Sequence, residues 1–151
     1  LPFPQERELA AILDLTTRTE TPELHAVAGR DRVLAMRKLV RGVVAAEHLQ
    51  RYIARLVLAT HPDHPDAPEI TRKYVRYGAS PRGGQVLTLA AKVGALRDRR
   101  VNVAVEDIRP FVLPAFRHRL ILNFAGEADG VTTDDIIGQI LAAVPVPEPA
   151  A

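Results

Sequence analysis

The sequence has no cysteine and no tryptophan, a single methionine, and only seven aromatic residues, four Phe and three Tyr, in 151 positions. Without a thiol there is no disulfide, no thiolate metal site and no cysteine nucleophile, which fits a reducing compartment. So few aromatics argue against an aromatic binding platform. No apolar run approaches the roughly 20 residues that a membrane helix needs. Also missing are the G-x-x-x-x-G-K-[ST] phosphate loop, the G-x-G-x-x-G fingerprint, the H-E-x-x-H zinc motif and the G-x-S-x-G nucleophile turn, so no complete catalytic apparatus is visible. What is present is ordinary for a globular chain: 47% hydrophobic and 25% charged residues, in a length that suits one domain. The chain starts Leu1-Pro2-Phe3-Pro4, with neither an initiator Met nor a signal-peptide pattern, and so reads as mature or excised material.

The formal charge of +2 conceals an uneven distribution. Residues 1–71 hold 9 Lys/Arg against 10 Asp/Glu, residues 72–119 hold 11 against 3, and residues 120–151 hold none against 5. An anionic partner is therefore expected at the middle segment. Arg supplies 17 of the 20 cations, and its planar fork suits phosphate better than a Lys point charge does.

Hydrophobic spacing and punctuation predict a mainly helical chain. Pro4 at a first helical position, with Glu6 and Glu8 behind it, opens a helix whose apolar stripe is Leu9, Ile12 and Leu13. A Thr- and Pro-containing loop is expected over 15–30. Asp31 then caps a short helix carrying Val33, Leu34 and Leu39 and ending near Gly42. Leu49, Tyr52, Ile53, Leu56 and Val57 form the buried face of an amphipathic helix over 45–60. Three prolines make 61–68 a surface loop, and 73–77 alternates as a short strand. Ser80-Pro81 starts the next helix, with a core face of Val86, Leu89, Ala90, Val93 and Leu96. Pro110 and Pro114 predict a kinked or divided helix over 104–117. Residues 120–124 are apolar enough for a strand that pairs with 73–77. Thr132 with Asp135 caps a last helix carrying Ile136, Ile137, Ile140 and Leu141. Alternating prolines make 144–151 resemble a linker.

The chemistry concentrates at Gly78-Ala79-Ser80-Pro81-Arg82-Gly83-Gly84. With Ser80 as cap, Arg82 falls in the first helical turn, where the positive dipole end disfavours a cation by roughly 0.3–1 kcal/mol. Each of the two glycines costs about 1 kcal/mol relative to Ala inside a helix. Bare backbone donors, a positive dipole end and an Arg fork together suit a phosphate, which would turn these local defects into a fit. Arg117 and Arg119 are a candidate basic patch beside it. His61-x-x-His64 with Asp63 and Asp66 offers metal-ligating types, but no helical register aligns them, and the solvated loop is the expected reading. His25 and His48 stand alone, with no neighbours that suggest a triad.

Gly78-Ala79-Ser80-Pro81-Arg82 resembles the G-A-S-P-R motif at the start of a lid helix in MoxR-family AAA+ ATPases. Phe3-Pro4 with Glu6 and Glu8, Val103 with Glu106-Asp107-Ile108, Arg117-His118-Arg119-Leu120-Ile121-Leu122-Asn123 and Glu127-Ala128-Asp129-Gly130-Val131-Thr132 are similar to the same family in order and spacing. The resemblance covers 1–145, leaving 146–151 as a linker or tail. It departs at Ala104-Val105, where relatives carry Thr-Pro, at Gly83-Gly84, and in the 61–68 loop.

The resemblance implies a C-terminal AAA+ lid: a mainly α helical bundle with one short two-stranded β element, about 73–77 with 119–124. It makes Arg82 the sensor-2 residue that meets the γ-phosphate, with Ser80 and Pro81 positioning it. No catalytic or metal-binding residue is expected in this segment, which needs no cofactor of its own. ATP and Mg would be bound by a preceding ATPase core, which also accounts for a start without Met. Implied partners are that core, neighbouring subunits of a ring, hexameric by resemblance, and von Willebrand factor A-domain proteins, in the cytoplasm and away from membranes. The full-length protein would hydrolyse ATP to remodel or mature protein complexes, while this segment alone would not. A reading from another class is a small basic helical DNA-binding module using Arg82, Arg97, Arg99, Arg100, Arg117 and Arg119. Its weakness is the lack of a helix surface suited to reading bases.

Overall fold

The computed structural model describes residues 3–19 and 23–147; the expected tail lies outside them from residue 148 on. In chain order these residues form α1 (Glu6–Thr17), α2 (Arg30–Gly42), α3 (Glu47–Leu58), α4 (Glu69–Tyr74), β1 (Val75–Tyr77), α5 (Pro81–Arg97), α6 (Val105–Phe116), β2 (Ile121–Leu122), α7 (Phe124–Ala128) and α8 (Thr133–Ala143). Two compact units divide after Val33, inside α2.

In the first unit, Gln5 rather than Pro4 stands at the helix start, and its N–H donates to Glu8 Oε2 at 3.0 Å. Pro4 therefore precedes the cap instead of occupying the first helical position. The helix also runs into the stretch expected as loop, because the Thr16 and Thr17 hydroxyls donate back to the Ile12 and Leu13 carbonyls at 2.7 Å each. Its apolar stripe, Leu9, Ile12 and Leu13, is exposed. The next helix starts two residues early, with Val33 N–H on the Gly29 carbonyl, so Asp31 sits in its first turn and does not cap it.

The second unit holds the core. The periodic face of α3 is buried as its spacing predicts, at Leu49, Tyr52, Ile53 and Leu56. Around it pack Leu87, Ile108, Val112, Phe116, Ile136, Ile137 and Ile140, each with no exposed surface. A helix expected to bury its large residues does the reverse: α5 turns Gly83, Leu87, Ala91, Gly94 and Ala95 inward and leaves Val86, Leu89 and Val93 exposed. Close approach decides this. A Cβ at Gly83 would lie 3.3 Å from Phe116 Cε1, one at Gly94 3.4 Å from Phe111 Cε2, and one at Gly84 3.3 Å from Val57 Cγ2. The small-residue face thus admits α6 on one side and α3 on the other, at a separation that Val or Leu would prevent.

Despite Pro110 and Pro114, α6 is a single undivided helix. Its cap position holds Ala104, which has no side-chain acceptor, and Asp107 compensates by accepting the Ala104 N–H at 2.8 Å. The same carboxylate, 3% exposed, takes Arg100 in a two-pronged ion pair at 2.6 and 2.7 Å. Arg100 hydrogen bonding, helped by the Ala104 N–H and opposed by burial, holds the Asp107 carboxyl below its ordinary value. A carboxyl depressed on folding adds stability that is fully present above the unfolded value and is lost as pH falls through the folded one. Urea midpoints should therefore drop on acidification between about pH 5 and pH 2. In Asp107→Asn that acid limb should be shallower and the neutral-pH midpoint lower; parallel pH profiles would remove this ion pair from the account.

The short sheet is antiparallel, with Val75 opposite Leu122 and Tyr77 opposite Ile121. Both strands are shorter than expected. Lys73 and Tyr74 belong to the unforeseen α4, and Phe124 opens α7 because Asn123 caps it, accepting the Gly126 N–H at 3.0 Å and donating to the Lys73 carbonyl at 2.7 Å. The expected capping box of α8 is present: Thr132 Oγ1 accepts the Asp135 N–H at 3.1 Å and Asp135 Oδ2 accepts the Thr132 N–H at 3.0 Å.

Candidate functional site

The chain passes from β1 through Gly78 and Ala79 to Ser80, which is extended (φ −68°, ψ 168°), and turns into α5 at Pro81. This is the start that Ser-Pro predicts, since Pro has no N–H to lose and its φ suits the first turn. The Ser80 hydroxyl, however, makes no cap hydrogen bond; the first turn closes through Gly83 N–H on the Ser80 carbonyl at 2.8 Å. No acidic residue occupies that turn. Arg82 projects from it exposed to solvent, and among the described residues it enters no ion pair and no side-chain hydrogen bond. A free guanidinium thus lies beside unpaired backbone donors at a positive dipole end, an arrangement that fits phosphate oxygens.

Arg119 is near: its Cδ lies 3.4 Å from where a Cβ of Gly83 would stand. Its guanidinium is turned to the C-terminus of α6, donating to the Ala115 carbonyl at 2.5 Å and touching the His118 ring. Arg117 is engaged elsewhere, in a two-pronged pair with Asp134 at 2.7 and 2.6 Å that joins the end of α6 to the start of α8 and raises the guanidinium's pKa. Arg97, Arg99 and Arg100 lie at the far end of α5, about 22 Å along its axis from Arg82 at 1.5 Å per residue. Arg97 and Arg100 both meet Asp98, and Arg100 is also held by Asp107. The basic middle of the sequence is therefore spread over both ends of one helix and partly neutralised by its own carboxylates.

Thr60, which sequence reasoning passed over, and His61, which it assigned to a solvated loop, complete the site. Thr60 Oγ1 accepts the Ala79 N–H at 2.8 Å, and His61 Nε2 meets the Ala79 carbonyl at 3.1 Å. His61 is half-buried, so it does not belong to the solvated loop expected over 61–68. Its loop neighbours are held by turns, with His64 N–H on the His61 carbonyl and Asp66 N–H on His64 Nδ1. Among the described residues no group of three His, Asp or Glu side chains is placed to hold a metal ion. The clue in the sequence was Gly78, whose missing Cβ would otherwise lie 2.5 Å from the Thr60 carbonyl oxygen.

Residues 67–140 match the AAA lid domain family, and over 95% of its length the chain is 26% identical to the chaperone MoxR1 of Mycobacterium tuberculosis. The chain carries an AAA lid domain over residues 67–140. This lid is also similar to the uncharacterized protein YeaC of Bacillus subtilis, at 30% identity over 96% of the chain. A solved structure of a candidate ATPase from Cytophaga hutchinsonii superimposes on 98% of the lid with a TM-score of 0.79 and 29% identity. The lid spans about two fifths of the length of the curated relatives it matches, 37% of MoxR1 and 43% of YeaC, and 45% of the solved chain. Among the described residues no helix is long and apolar enough to cross a membrane.

Proposed function

We propose that this lid acts with an ATPase core and that Arg82 is its sensor-2 residue, bonding the γ-phosphate of ATP and losing that contact on hydrolysis. The observation that carries the reading is the free Arg82 guanidinium in an acid-free first helical turn, at the position of the G-A-S-P-R motif. Ser80 and Pro81 direct the turn, and Arg119 adds positive charge nearby without itself contacting phosphate. Mg and the remaining phosphate contacts belong to the core. Lid rotation then couples hydrolysis to chaperone-like remodelling or maturation of protein complexes by a ring of subunits, hexameric in this reading. Von Willebrand factor A-domain proteins are the proposed partners, and the cytoplasm the proposed location.

In the full-length protein, Arg82→Ala should lower ATP turnover about fivefold or more, the loss of one charge-assisted contact to a developing phosphate charge. Steady-state ATPase assays and binding of a fluorescent ATP analogue measure it. Unchanged turnover together with unchanged nucleotide affinity would remove Arg82 from the reaction.

A further inference from the structure

We infer that Thr60 and His61, at the end of α3, are positioning residues for Arg82, a role that rests on the sensor-2 reading above. The first observation is an absence of the usual local device. Ser80 occupies the cap position of α5 but its hydroxyl makes no cap bond, so the turn that Ser80 and Pro81 begin is not anchored by a side-chain cap. It is anchored one residue earlier. Both backbone groups of Ala79, a residue with no exposed surface, are taken by consecutive residues 18 and 19 positions upstream: the N–H by Thr60 Oγ1 at 2.8 Å, the carbonyl by His61 Nε2 at 3.1 Å.

Because a carbonyl only accepts, His61 Nε2 carries the proton and donates. The Thr60 hydroxyl uses both its capacities, donating to the Val57 carbonyl at 2.5 Å while accepting from Ala79. It thereby joins the last turn of α3 to the peptide that leads into α5. That last turn is firmly seated, since Leu56, Ala59 and Thr60 have no exposed surface. Gly78 presses on Thr60 closely enough to exclude a side chain, so the approach cannot slide. Three peptide units separate Ala79 from Arg82, and a small rotation at Ala79 moves a guanidinium at the end of a long side chain by a much larger distance. A geometric error of that kind is costly in catalysis, because the contact is useful only where the phosphate charge develops.

Thr60 is fully buried and its removal risks the fold, whereas His61 is half-buried, so the test rests on His61. In the full-length protein, His61→Ala should lower kcat for ATP roughly threefold with an unchanged melting temperature, as expected for a lost orientation rather than a lost core. His61→Gln, whose amide nitrogen can donate to the same carbonyl, should restore kcat. The decisive comparison is a double-mutant cycle. Once Arg82 is Ala, adding His61→Ala should change nothing further, because His61 acts only through Arg82. An equal loss in both backgrounds, or no loss in His61→Ala when Arg82→Ala is slow, would overturn the positioning role while leaving the sensor-2 reading intact. Full activity of Arg82→Ala itself would overturn both.

Discussion

Replacing Phe116 by Ala should destabilise the protein by about 3–5 kcal/mol, the largest single-residue effect expected from this core. Phe116 ends α6, has no exposed surface, and sets its ring 3.3 Å from the place a Gly83 Cβ would occupy. Gly83, against which the ring packs, has no side chain with which to fill the void. A void so lined stays open, which places the cost toward the upper end of the range. Phe116 also holds the α6–β2 corner, its carbonyl accepting the Arg119 N–H at 2.8 Å and the Leu120 N–H at 3.2 Å. Urea unfolding at neutral pH measures the loss, and Phe116→Leu should retain most of the stability. A cost below about 2 kcal/mol would mean that the α5 start collapses onto α6 far more readily than its packing implies.

Gly78→Ala should cost about 3 kcal/mol, although it adds a single methyl group. That methyl would stand 2.5 Å from the Thr60 carbonyl oxygen and 2.6 Å from its hydroxyl. The first neighbour is backbone and cannot swing aside, so either α3 or the 78–79 peptide must move, and the Thr60–Ala79 bond stretches in either case. The penalty is steric, since Gly78 does not adopt a positive φ. Gly138 provides the control. It lies inside α8 with nothing within 4 Å of its missing Cβ, so Gly138→Ala should stabilise the protein by roughly 0.5–1 kcal/mol through helix propensity. Paired thermal unfolding of the two variants should move in opposite directions. A neutral Gly78→Ala would show that the approach of α3 to the motif is loose, and would weaken the positioning role of Thr60 and His61 with it.

Where periodicity or a cap residue is local, the sequence was legible. The α3 face at Leu49, Tyr52, Ile53 and Leu56, the Ser80-Pro81 start and the Thr132–Asp135 capping box are each written within a few residues. Short helices were not: α4 hides in a stretch that alternates like a strand, and α7 depends on the Asn123 side chain capping a single turn. On α5 the hydrophobic pattern was misleading. Val86, Leu89 and Val93 are the more apolar face, yet the face that lets two backbones approach carries glycine and alanine.

By itself, then, the sequence determined the helical class, the starts of α5 at Pro81 and α8 at Thr133, and the motif that makes Arg82 the residue of interest. Only the tertiary structure decided which of its cations are engaged by carboxylates. Arg117 is taken by Asp134 and Arg100 by Asp107, while Arg82 has no partner among the described residues. It likewise decided that His61 serves Ala79, 18 residues away, rather than solvent. The physical reason is the same in each case. Helix periodicity and capping act through neighbours along the chain and leave a pattern there, whereas an ion pair or hydrogen bond between distant segments depends on where packing brings them together.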